Sequence, residues 1–313
     1  MTGDKGENMK IGWNGTGVVG QASLASVEKD MLRAESAGYR SYWLADHPTG
    51  GFDALTALAL GGQKVKKMEI GTAVIPTFPR NPMSLAAQTL TVAQSLSVPF
   101  CLGIGLSHQS MMKDLGIPFD KPIRHLREYL SILVPLLETG EVDFDGELLS
   151  CHAKIFKRDM PDCSVLVAAL GPQALKVAGE YAAGTTLAWV GPKTIAEHIA
   201  PRIQAAAAAA GKPAPRIVAT LPVCVTSAGS ERRASISRNF ANYGELPSYR
   251  AMFDREGAAG PGDVALVGTR NEVEDRIQKM ADAGTTDFGA TVYAESPEEK
   301  TATLQLLSEL AAA

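Results

Sequence analysis

No apolar run in the sequence approaches the roughly 18 residues of a membrane span, and no hydrophobic stretch near its start looks like a secretory signal. A cytoplasmic protein without membrane contact is expected. Cysteine is scarce: Cys101, Cys151, Cys163 and Cys224 never fall at CxxC spacing, so reduced thiols are expected. Cys151-His152 with Cys163 would offer three metal ligands and no fourth, so no metal is expected. An excess of positive charge is lacking too. Thirty Lys and Arg stand against 34 Asp and Glu, a net charge of −4, which leaves no basic field to hold nucleic acid. A small-molecule substrate is the remaining class of partner. With 45% hydrophobic and 20% charged residues, the chain is neither disordered nor of low complexity.

What is present is a repeating unit. Met1–Asn8 is polar and patternless, and is read as a disordered leader or an expression remnant; residues 9–313 are read as one domain. Within them a short β-rich run is followed by a loop and an amphipathic helix, again and again. Strands are expected at Lys10–Asn14, Ser41–Ala45, Glu69–Val74, Phe100–Ile104, Ser164–Ala169, Thr185–Trp189, Arg216–Val225 and Thr286–Val292. Helices are expected between them, among them Leu24–Ala37, Pro82–Leu96, Pro122–Leu137, Pro172–Ala182 and Pro192–Ala210. Thr269 to Glu272 has the capping-box pattern and Ser296-Pro297-Glu298-Glu299 a strong helix start. Eight strands alternating with eight helices predict an α/β fold, a closed (β/α)8 TIM barrel. Two stretches exceed ordinary connections, Gly140–Asp162 after helix four and Ser227–Gly268 after strand seven, with Asp254–Pro261 loop-like. Both are expected to flank a substrate entrance.

In such a barrel the chemistry sits where strands end and βα loops begin. Strand one is followed by Asn14-Gly15-Thr16-Gly17-Val18-Val19-Gly20, which contains GxGxxG. A dinucleotide-binding reading would want an acidic residue about 20 positions on, but the first one ending strand two is Asp46, and the other units favour a barrel. Strand two ends on Asp46-His47, a carboxylate beside a side chain that titrates near neutrality and is suited to proton transfer. Strand four ends on Ser107-His108. Strand five ends on Leu170-Gly171-Pro172-Gln173-Ala174, where a glycine ahead of a helix start leaves backbone N–H groups free for a phosphate. Gly191-Pro192-Lys193 after strand six repeats that geometry and adds a cation.

These segments together carry a family likeness. Residues 34–47 (AESAGYRSYWLADH), 69–91 (EIGTAVIPTFPRNPMSLAAQTLT), 102–108 (LGIGLSH), 125–130 (HLREYL), 165–185 and 225–257 stand in an order and spacing that resembles the luciferase-like monooxygenase superfamily. The branch it resembles is that of oxidoreductases dependent on coenzyme F-420, an 8-hydroxy-5-deazaflavin, and the likeness covers about Met9 to Leu310. The resemblance implies a flat cofactor across the barrel mouth. Asp46 and His47 would border the ring, Ala73 and Val74 would back it through a non-prolyl cis peptide, and Ser107 and His108 would lie near the ring and its side chain. Leu170, Gly171, Pro172, Gln173 and Ala174 would hold its phosphate. The implied activity is hydride transfer between F-420 and a small organic C=C, C=O or C=N compound, or the reverse. The alternatives are an FMN-dependent monooxygenase and a deazaflavin-binding protein without turnover. A homodimer is expected.

His47 is expected to move the proton, tuned by Asp46, with His108 second. His108 stands where sugar-phosphate dehydrogenase relatives carry a catalytic Glu, which argues against glucose 6-phosphate as substrate. F-420 is expected over FMN because its oligoglutamate tail could meet Arg80, Lys154, Lys157, Arg158 or Lys193.

Overall fold

A computed structural model of the chain describes residues 9–19, 23–47, 50–156 and 161–313. Met1–Asn8, Gly20 of the GxGxxG run, Lys157 and Arg158 lie outside the described residues. Eight parallel strands form a closed ring: Lys10–Asn14, Ser41–Leu44, Glu69–Thr72, Phe100–Gly105, Cys163–Val167, Gly184–Ala188, Arg216–Val225 and Asp287–Val292. Each pairs with the next, and the last closes on the first with Lys10 opposite Asp287 and Trp13 opposite Ala290. The strand runs are apolar nearly throughout because both faces are covered, one by helices and one by the barrel interior. The ring is a (β/α)8 barrel, and the dinucleotide-binding reading of GxGxxG has no doubly wound sheet to sit on. Gly15 serves close packing instead: a Cβ there would lie 1.9 Å from the Tyr42 hydroxyl.

Inside the ring Trp43, Cys101, Leu166 and Val218 form one fully buried layer. Trp43 fits because residue 71 is glycine; a Cβ there would lie 2.3 Å from its ring. Below this layer Arg216 closes the barrel floor. Its guanidinium donates to both oxygens of Glu69, at 3.0 and 2.8 Å, and to both of Asp287, at 3.3 and 2.7 Å. Burial alone would lower the Arg216 pKa, but the two carboxylates outweigh it and hold the charge in place. The larger apolar layer lies between barrel and helices.

The excursions differ from one another. The first is a hairpin, Glu141–Asp145 antiparallel to Ser150–Lys154, laid along the helix Pro122–Glu138. Glu128 of that helix fastens its turn by accepting from the backbone N–H of Glu147, Leu148 and Leu149 at 3.0, 2.8 and 2.9 Å. The second contains the helices Gly229–Asn239, Ala241–Glu245, Pro247–Glu256 and Pro261–Val264 and the short strand Leu266–Gly268. The stretch expected as loop, Asp254–Pro261, is instead the last turn of one helix, a cap at Gly257 with φ +78°, and the start of the next. The helix expected over Pro192–Ala210 is interrupted by a π-turn at Ile195–Ile199.

The helix Pro122–Glu138 also buries His125, which stacks on Phe78 with ring centroids 3.9 Å apart and sits 3.2 Å from the Thr77 hydroxyl. Burial pulls its pKa down to about 4, against an opposing pull from Glu128. The folded protein therefore refuses a proton that the unfolded chain accepts near pH 6.5. This contribution to stability is whole above pH 6.5 and is lost as pH falls from there toward 4, by about 1–3 kcal/mol. Thermal unfolding of His125→Phe should show a shallower loss of stability over that interval than the native chain. An unchanged slope would mean that His125 is protonated in the fold.

Candidate active site

The C-terminal strand ends and their loops surround a cavity of about 280 Å³. Ala73 and Val74 after strand three, Gly105 to His108 after strand four, and Ala168, Leu170, Gly171 and Ala174 after strand five form its walls. Thr186 to Ala188 of strand six, Asn14 of strand one and Thr220 of strand seven line it deeper in, and Ser248 and Tyr249 face it from the second excursion. Except for His108 and Tyr249, none of these residues carries an ionisable side chain.

The wall after strand three is locked from several sides. The peptide between Ala73 and Val74 is cis, as the family likeness implied. Ala73 N–H donates to the Leu44 carbonyl at 2.8 Å, and Asp46 N–H to that of Val74 at 3.2 Å. The Thr72 hydroxyl donates to the Gly103 carbonyl at 2.8 Å and accepts from Gly103 N–H at 2.9 Å. The Asp46 side chain is turned away from His47: it is buried, accepts from Ala54 N–H at 3.3 Å, and pairs with Arg80 at 3.0 Å. Arg80 also donates to Asp53 and Gln88. Asp46 thus holds the loop that carries the wall, and no hydrogen bond joins it to the His47 ring. The expected tuning of His47 by Asp46 therefore has no hydrogen bond behind it.

Ser107 adopts φ +64°, a left-handed conformation unusual for a residue with a side chain, and its hydroxyl donates to Met111 Sδ at 3.2 Å. His108 follows on the cavity wall, its ring 5.8 Å from that of Tyr249. Burial lowers the His108 pKa below the usual histidine value, and the charge of nearby His47 lowers it further. His47 itself is exposed at the rim and does not line the cavity.

On the far wall the helix Pro172–Tyr181 begins with no side-chain cap, and Gly171 ahead of it is exposed. Its first amides are available to an anion. The Leu170 carbonyl is held from behind by His198 Nε2 at 2.8 Å, which makes Nε2 the protonated nitrogen. Pro172 opens that helix, and Gln173 faces a different cleft with Arg124, Arg127 and Lys176. The second glycine-led helix start, at Gly191, is already filled. The Glu256 carboxylate accepts from the amides of Lys193 and Thr194 at 3.2 and 2.7 Å.

The cations expected for an acidic tail are redistributed. Arg80 is committed to Asp46 and Asp53, and Lys154 is paired with Glu141 on the hairpin. Lys193 is exposed. Ser248 and Tyr249 place the second excursion at the cavity, whereas among the described residues none of the first lines it, so of the described residues only those of the second excursion flank the mouth. Asn14, Thr186, Thr220 and Tyr249 escaped sequence reasoning. The first three follow from strand alternation toward the barrel interior; Tyr249 carries no local signal beyond its place in a long excursion.

The cavity suits a flat ring with a phosphate: apolar walls with an uncapped helix start at one side, and the buried Thr220 hydroxyl without a protein partner at the floor. Known proteins resemble the chain over most of its length. The family model for luciferase-like monooxygenases matches residues 9–289. A 5,10-methylenetetrahydromethanopterin reductase of Methanolobus tindarius is 23% identical over 289 residues, covering 82% of this chain and 87% of the relative. An F420-dependent glucose-6-phosphate dehydrogenase of Amycolatopsis mediterranei is 29% identical over 168 residues, about half of each chain, at 49% and 50%. Among solved structures, the coenzyme F420-dependent tetrahydromethanopterin reductase of Methanopyrus kandleri superposes with TM-score 0.79 at 18% identity, over 97% of this chain and 98% of that one. An F420-dependent secondary alcohol dehydrogenase gives 0.78 at 18% identity, over 98% and 100%.

Proposed function

Because this chain belongs to the luciferase-like monooxygenase family, we propose that it is an oxidoreductase that uses coenzyme F-420 to reduce, or to oxidise, a small organic compound. Bound in the cavity, the deazaflavin supplies two-electron hydride chemistry. Everything else is the task of the chain. Ala73, Val74, Gly105 and Ala168 back the ring, and Ser107 borders it. The amides of Gly171, Gln173 and Ala174 receive the phosphate. Asp46 keeps the wall in place through Arg80 and the Val74 carbonyl.

His108 is the proton-handling group, because it stands on the cavity wall while His47 stands at the rim. With its pKa lowered it is neutral at pH 7 and ready to take a proton from an alcohol. The observation that carries this reading is one cavity with an uncapped helix start on one wall and a half-buried histidine on another. An acidic tail leaving Gly171 and Gln173 would meet Arg127, and would compete with Glu147 for Arg124 and with Glu180 for Lys176, the cations that share a cleft with Gln173 and Glu128. The test is absorbance and mass spectrometry of cofactor released from purified protein. A deazaflavin with a glutamyl tail supports the reading; FMN supports the monooxygenase alternative. A deazaflavin that shows no spectral change with any substrate makes the chain a binding protein.

A further inference from the structure

The cavity and the second excursion together limit what can react there. Tyr249 faces His108 across the mouth with ring centroids 5.8 Å apart. It is held from behind by Tyr243, edge-on at 5.1 Å, and Tyr243 is held in turn by Trp189 at 5.2 Å. A chain of edge-on and tilted rings of this kind is stiff, costly to rearrange, and offers a ring face or edge to a flat partner. No lysine, arginine, aspartate or glutamate lines the cavity among the described residues.

Of the cations on neighbouring loops, three are occupied, while Lys113 and Lys193 are exposed and do not line the cavity. Arg80 serves Asp46 and Asp53. Arg250, next to Tyr249, pairs with Asp254 and donates to the carbonyls of Ala258 and Ala259. Arg232 is fastened between Glu295 and Glu299. A phosphorylated or carboxylated substrate brought against the His108–Tyr249 wall would meet no lysine or arginine there, which disfavours it where water is excluded.

We infer that the substrate is an uncharged, flat, ring-bearing compound such as an aryl ketone, held against Tyr249 with its polar atom toward His108. Sugar phosphates and ring carboxylates are rejected. This inference rests on the reading of the cavity as an F-420 site, and its test separates the two. Acetophenone and 4-acetylbenzoate differ by one carboxylate. Their affinities are measured calorimetrically on the full chain, with and without F-420, and F-420 binding is titrated separately by its own absorbance. Acetophenone should bind at least ~10-fold more tightly than 4-acetylbenzoate. Tyr249→Phe should keep that order, and Tyr249→Lys should reverse it by supplying the missing cation. Equal or tighter binding of 4-acetylbenzoate to the native chain, or no detectable binding of acetophenone, overturns the inference even where F-420 binds. Failure of F-420 to bind overturns the cofactor reading, while the ratio of the two ketones still decides the substrate class. Should Tyr249→Lys not fold, the native ratio and Tyr249→Phe decide alone.

Discussion

Replacing His108 with alanine should lower turnover by about 10²- to 10⁴-fold, the usual worth of a positioned general acid or base, and leave cofactor affinity nearly unchanged. The side chain stands on the cavity wall without a hydrogen bond that the fold depends on, so little else is lost with it. His47→Ala should act differently. Its positive charge is one of the two causes that lower the His108 pKa, burial being the larger. Without it His108 binds its proton more readily, and the acid limb of the pH–rate profile should move upward, toward the ordinary value near 6.5. In the substrate-oxidising direction, activity at mildly acidic pH falls; in the reducing direction it rises. Steady-state kinetics of both variants between pH 5 and 8 decide the matter. Full turnover in His108→Ala, with loss in His47→Ala, would return the proton to the rim histidine.

Arg216→Met should destabilise the protein by about 3–5 kcal/mol, because it leaves two carboxylates at the barrel floor without their cation. Asp287 is only 2% exposed and cannot turn to solvent. The Thr286 hydroxyl, 2.6 Å from it, is a poor substitute for a guanidinium. Adding Glu69→Gln and Asp287→Asn to the same chain should restore part of the loss, since no unpaired charge then remains. Urea unfolding measures both. A loss below about 1 kcal/mol for Arg216→Met would class the cluster with exposed ion pairs.

The barrel was legible in the sequence because buried parallel strands read as continuous apolar runs: SYWL, FCLGIG and SVLV need no partner to be recognised. Caps were legible for the same local reason. Thr269 and Glu272 form the reciprocal capping box expected of them, and Ser296 accepts from Glu299 N–H at 3.2 Å. What depended on distance was not. The floor cluster joins Arg216 to residues 147 and 71 positions away, and each looks alone like a solvated charge at a strand start. The Asp46–Arg80 pair is of the same kind. A carboxylate next to a histidine invites the reading of a tuned dyad, and only the fold shows that the carboxylate faces the other way. The π-turn that brings His198 to the Leu170 carbonyl arises within one apparent helical pattern, Pro192–Ala210, and leaves no mark in its periodicity.

The central claim is tested most directly by titrating the purified chain with coenzyme F-420 and with FMN at low and at high ionic strength. The account predicts tighter binding of F-420, affinity that rises with the number of glutamates in the tail, and weakening with salt as Arg124, Arg127 and Lys176 are screened. Equal or tighter binding of FMN, accompanied by oxygen-dependent turnover, would contradict it.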